Sequence, residues 1–95
     1  MTAYVIADIE VTNPKEYEDY RAMVPPTIAA FGGRFIARGG QTEALEGEWK
    51  PRRLVILEFP DAATARRWYE SPEYGAAKKV RQANSRGSLV LVEGL

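Results

Sequence analysis

The chain has 95 residues, 45% of them hydrophobic, with 13 acidic and 13 basic side chains and neither cysteine nor histidine. That length makes one domain. The missing thiol and imidazole exclude Cys and His nucleophiles and bases, Cys/His zinc centres and His- or Cys-ligated haem. The balance of charge excludes a global field that would draw the chain to nucleic acid or anionic lipid.

In chain order, Tyr4 to Val11 is dense in β-branched and aromatic residues and reads as a strand. Its alternation puts Val5, Ala7, Ile9 and Val11 on one face and Tyr4, Ile6, Asp8 and Glu10 on the other. Asn13-Pro14-Lys15-Glu16 signals a helix start, with Asn13 as N-cap and Glu16 closing a capping box. Tyr17, Tyr20, Val24, Ile28 and Phe31 then form one apolar stripe, which continues in phase through Pro25-Pro26. A kinked helix is expected there rather than two separate ones.

Gly32-Gly33 ends this helix, and Arg34 to Arg38 is a second strand. Gly39 to Arg52 is a long polar loop in which Thr42 to Leu45 suits a short extended piece. Arg53 to Phe59 is nearly all apolar and reads as a central strand. Asp61 caps a helix through Tyr69, and Ser71-Pro72-Glu73 starts another that runs to about Asn84. Ser88 to Glu93 is the last strand. The order β-α-β-β-α-β, with the second helix broken near Ser71, fits an α+β, ferredoxin-like, four-stranded antiparallel sheet as one domain over 1–95.

Two helices cover only one face of such a sheet. The other carries Ile6, Leu54 and Ile56 beside Asp8 and Glu58, so a homodimer with the two sheets face to face is expected. No apolar run approaches the roughly 18 residues a bilayer requires, and no leader-like segment precedes the first strand. A cytoplasmic protein without membrane partners is therefore expected. An RNA-recognition sheet would need aromatic platforms in its central strands, and Leu54-Val55-Ile56-Leu57-Glu58 supplies none. Nucleic acid is not an expected partner.

Several stretches also resemble a known family over nearly the whole chain. They are Tyr17-x-x-Tyr20, Phe31-Gly32-Gly33-Arg34-Phe35, Arg38-Gly39-Gly40, Glu46-Gly47, the strand from Arg53 to Phe59, and Trp68-Tyr69-x-Ser71-Pro72-Glu73-Tyr74. In this order and spacing they resemble the family called domain of unknown function 1330, within the dimeric α/β-barrel superfamily. The resemblance implies two sheets closing around an interior lined by both subunits. It supplies no reaction. Related branches include cofactor-independent monooxygenases and muconolactone isomerases; the haem-binding branch is a poor guide because the chain has no His to ligate iron.

Candidate chemistry centres on Asp8, Arg38 and Glu58, which alternation places on the helix-free face beside Ile6, Ile36 and Ile56. An arginine between two carboxylates either holds an anionic or carbonyl-bearing ligand, leaving one carboxylate as base, or closes a self-satisfied ion network. Arg38 and Gly39 are the expected ligand contacts at the strand end, with a bend into the loop as the plainer role for the glycine. Trp68, Tyr69 and Tyr74 bracket the Ser71 cap, where large aromatics wedge a helix break against the sheet; Tyr69 or Tyr74 would otherwise offer a phenol to a ligand. Ser71 has no adjacent base and is read as a cap. Trp49 is a candidate dimer contact or lid. No cofactor or metal is expected. The functional readings are a cofactor-independent enzyme (isomerase or monooxygenase-like) acting on a small aromatic or carboxylated molecule, and a non-catalytic ligand-binding or structural homodimer.

Overall fold

The computed structural model describes residues 1–95 and orders the chain as β1 (Ala3–Val11), α1 (Pro14–Ala30), β2 (Arg34–Arg38), β3 (Leu54–Phe59), α2 (Ala62–Glu70), α3 (Pro72–Asn84) and β4 (Ser85–Glu93). The sheet order is β2-β3-β1-β4, and all neighbours are antiparallel. This is the ferredoxin-like α+β arrangement, with β3 and β1 central and the second helical segment divided at Ser71. No helix is long and apolar enough to cross a membrane.

Alternation in β1 works as expected. Ala3, Val5, Ala7 and Ile9 are buried under the helices, as are Leu57 and Phe59 of β3. Trp68 fills the centre of this layer, its ring 4.1 Å from that of Tyr74 and 5.3 Å from that of Phe59. Truncating such a ring in a core costs about 3–5 kcal/mol. Ser71 joins α2 to α3: its Oγ donates to the Trp68 carbonyl at 2.7 Å and accepts from the Tyr74 N–H at 3.1 Å. One hydroxyl therefore satisfies the end of one helix and the start of the next.

Three local expectations are corrected. Asn13 makes no side-chain capping bond; its Nδ2 donates instead to Oδ1 of Asn84 at 3.1 Å. The Asn84 carbonyl accepts from the N–H groups of Thr12 and Asn13, so the start of α1 clamps the end of α3. Because α3 then runs straight into β4, that strand begins at Ser85 rather than Ser88. Thr42 to Leu45 joins no strand and stays in the loop between β2 and β3.

The prolines leave α1 a single helix from Pro14 to Ala30. Neither can donate an N–H, so the carbonyls of Arg21 and Ala22, four residues earlier, lose their helical partners. On the open side of the sheet, Ile56, Ile6 and Val90 form one cross-strand row, and Tyr4 lies between Glu58 and Val92. Val90 and Val92 are 57% and 42% exposed in the single chain.

Candidate functional site

Asp8, Arg38 and Glu58 do not come together. In β2, Phe35 pairs with Leu57, but Ala37 pairs with Ile56 and Arg38 with Val55. One extra residue at Ile36 makes a β-bulge, which resets the alternation after it. Arg38 thus leaves the open face and points to the helix side, where its guanidinium lies 4.3 Å from the Phe35 ring centroid. The two carboxylates remain on the open face with other partners. Asp8 accepts from the Trp49 indole N–H at 2.9 Å and the Arg52 backbone N–H at 3.0 Å. Glu58 accepts from Arg34 Nε at 2.8 Å. Asp8 therefore ties the long loop to the sheet, and Glu58 joins β3 to its edge neighbour.

The aromatics around Ser71 divide likewise. Tyr74 is wholly buried and does not stand at a pocket mouth. Tyr69 is at the surface, with Lys78 Nζ 4.2 Å above its ring. Gly39 adopts a φ of +70°, and a Cβ there would meet Arg53 Nη1 at 2.5 Å. The glycine turns the chain and lets the Arg53 side chain lie against its backbone.

The open face carries a wide concavity over Ile6, Asp8, Trp49 and Val90, whereas the helix side encloses a small, sheltered one. Between α1, α3 and the sheet lies a cavity of about 30 Å³. A water needs roughly 10–15 Å³ of such space, so it accommodates one or two small polar groups. Its apolar wall comes from Val5, Ile9, Val24, Leu57 and Trp68; its polar lining is Tyr17, Tyr20, Arg21, Arg38, Arg53 and Arg81. No carboxylate lines it. The chain's ion pairs are Arg21–Glu18, Arg34–Glu58, Arg52–Glu10 and Arg86–Glu10, so Arg38, Arg53 and Arg81 belong to none.

Two of these arginines are held where water cannot fully compensate them. Arg81 is 7% exposed. Its Nε donates to the Tyr74 hydroxyl at 3.2 Å, which lies 3.0 Å from the Tyr20 hydroxyl. With Tyr74 accepting from Arg81, its own proton can pass to Tyr20, leaving the Tyr20 proton free to donate into the cavity. Arg53 Nε is buried and has no hydrogen-bond partner. The rest of its guanidinium bonds the Tyr17 hydroxyl, so the cost falls on that one orphaned N–H.

Protonation follows from the same burial. Burial pushes the Tyr20 phenol far above its ordinary value of 10.0, and Tyr74 adds to the effect. Burial also raises Tyr17, partly offset by Arg53 beside it. For Arg81, burial opposes the charge, but the Tyr74 and Tyr20 phenols outweigh it and hold the group above its ordinary range. At neutral pH the cavity therefore presents charged guanidiniums and phenol donors, and no base.

Arg81 had a signal in the sequence. It lies seven residues after Tyr74 and four after Ala77, on the buried stripe of α3, where an arginine is out of place. Arg53 and the turn of Arg38 had none.

Residues 2–95 match the family model for Domain of unknown function (DUF1330). The chain belongs to this DUF1330 family. No functionally curated protein matches it. Among solved structures it is similar to a protein of unknown function from Rhodopseudomonas palustris, at 20% identity and a TM-score of 0.80, over 99% of this chain and 82% of that one. A dimeric ferredoxin-like protein from Jannaschia sp. CCS1 shares 16% identity at a TM-score of 0.72, over 100% and 99% of the two chains. SnoaB, a cofactor-independent oxygenase from Streptomyces nogalater, shares 20% identity at 0.56, over 99% and 92%. At these identities the likenesses establish the fold of the DUF1330 chain.

Proposed function

We propose that this DUF1330 protein binds a small organic anion, a carboxylate with no more than a methyl group behind it, in the helix-side cavity. The observation that carries this reading is a cavity with Arg53 and Arg81 at its wall and no carboxylate to pair them. Guanidinium forks match a carboxylate in a two-point fashion, and the Tyr20 hydroxyl adds a donor. The apolar wall suits the rest of the ligand. Binding would supply the counter-charge that the protein itself withholds. The test is stabilisation by acetate in thermal unfolding, present in the native chain and lost in Arg81→Met.

The working unit in this reading is a homodimer joined through the open sheet face. The apolar row of half-buried Ile56 and Ile6 and exposed Val90 supports it, and the Jannaschia neighbour is described as dimeric. Absence of cysteine suits a reducing compartment, which supports a cytoplasmic location.

A cofactor-independent enzyme of isomerase or monooxygenase type is the second reading, favoured by the likeness to SnoaB. Asp8 and Glu58 cannot serve it as bases in this cavity, because both lie on the opposite face of the sheet from Arg38. Chemistry there would rest on Arg81, Arg53 and Tyr20 stabilising negative charge on the bound molecule.

A further inference from the structure

We propose that Arg38 is the gate of this cavity: its guanidinium closes the mouth in the free protein and turns onto the anion when one binds. The inference rests on the anion-binding reading above. Of the residues lining the cavity, Arg21 and Arg38 alone are exposed, so solvent meets the cavity between them. Arg38 spans that opening from β2 to α1, and its Nη2 donates to the Arg21 carbonyl at 3.0 Å.

Two backbone irregularities create this contact. The bulge at Ile36 aims Arg38 at the helix side. Pro25, lacking an N–H, leaves the Arg21 carbonyl without its helical donor. Both are features of the chain's covalent sequence and register rather than of a chance rotamer.

The closure is readily exchanged. Arg38 bonds a neutral carbonyl and rests on the Phe35 ring, with no carboxylate near it. A carboxylate in the cavity offers a charge-assisted, two-point partner, which is stronger than a neutral acceptor. The Arg21 carbonyl released by the swing lies at the surface, where water replaces the lost bond.

Stopped-flow mixing with acetate tests the gate. Trp68 lines the cavity, so its fluorescence reports occupancy; Trp49→Phe removes the other indole, which lies on the opposite face. In that background, Arg38→Met is expected to accelerate both association and dissociation. Removing a cation from the mouth would by itself slow capture of an anion, so faster association is the signature of a gate. Arg38→Lys keeps the charge but reaches less far, and is expected to accelerate both rates as well. Slower or unchanged association with faster dissociation would make Arg38 an ordinary holding contact and overturn the gate. Unchanged rates in both variants would overturn it too. Failure of acetate to bind the Trp49→Phe protein, in fluorescence and in thermal unfolding alike, would strike the anion-binding reading itself, and the gate with it.

Discussion

Arg38 donates to the backbone carbonyl of Arg21, the carbonyl that Pro25 leaves without a helical partner. A proline inside α1 and a bulge inside β2 thus meet at one hydrogen bond across the mouth of the cavity. Each irregularity looks like a local cost when taken alone. Together they place an unpaired guanidinium beside two others, Arg53 and Arg81, in a wall that has no acid.

Ser71 is expected to matter for stability and not for binding. Ser71→Ala removes the acceptor for the Tyr74 N–H and the donor to the Trp68 carbonyl. The loss should be about 0.5–2 kcal/mol, read as a lower midpoint in urea with an unchanged slope. An unchanged midpoint would mean that the α2–α3 junction is held by the aromatic packing alone.

The buried phenols predict an alkaline limb of stability. Tyr20 is raised above 10.0 by burial, so the folded state keeps a proton that the unfolded chain gives up. Its contribution is fully present below pH 10 and is lost as pH rises beyond that value towards the folded pKa. Chemical denaturation should show stability falling above about pH 10, with a shallower fall in Tyr20→Phe. Equal slopes in the two proteins would place the titration elsewhere.

Assembly is checked on the open face. The native chain should sediment at twice its 10.6 kDa mass. Val90→Asp puts a charge into the Ile56–Ile6–Val90 row and should give the 10.6 kDa species while the helical signal persists. A dimer that survives this change must use another surface.

Most of the fold was legible because two periods run cleanly through the sequence. The alternation in Tyr4 to Val11 and the stripe from Tyr17 to Phe31 assign both faces of the central strand and one face of α1. The Ser71-Pro72 signal locates the break between α2 and α3. The candidate site was not legible from alternation, because one inserted residue at Ile36 moves Arg38 to the other face of the sheet. Nothing in Arg34-Phe35-Ile36-Ala37-Arg38 announces a bulge. Asn13 carries a good capping signal, but Asn84, 71 positions away, competes for its side chain and wins. Arg81 was legible in principle, as a charge on an apolar stripe; its meaning came only with the cavity beside it.

The most direct test compares the native chain with Arg81→Met in thermal unfolding with and without acetate. Without ligand, Arg81→Met should be somewhat less stable than the native chain, since it removes the Arg81 Nε–Tyr74 hydroxyl bond. Each protein is therefore compared with itself with and without ligand. At an acetate concentration about 100 times its dissociation constant, the native chain should gain about 2.7 kcal/mol, a rise on the order of 10 °C in midpoint. Arg81→Met should show no such rise. A native chain that acetate and formate leave unmoved, or an Arg81→Met variant that they stabilise equally, would contradict the claim that this cavity is an anion site.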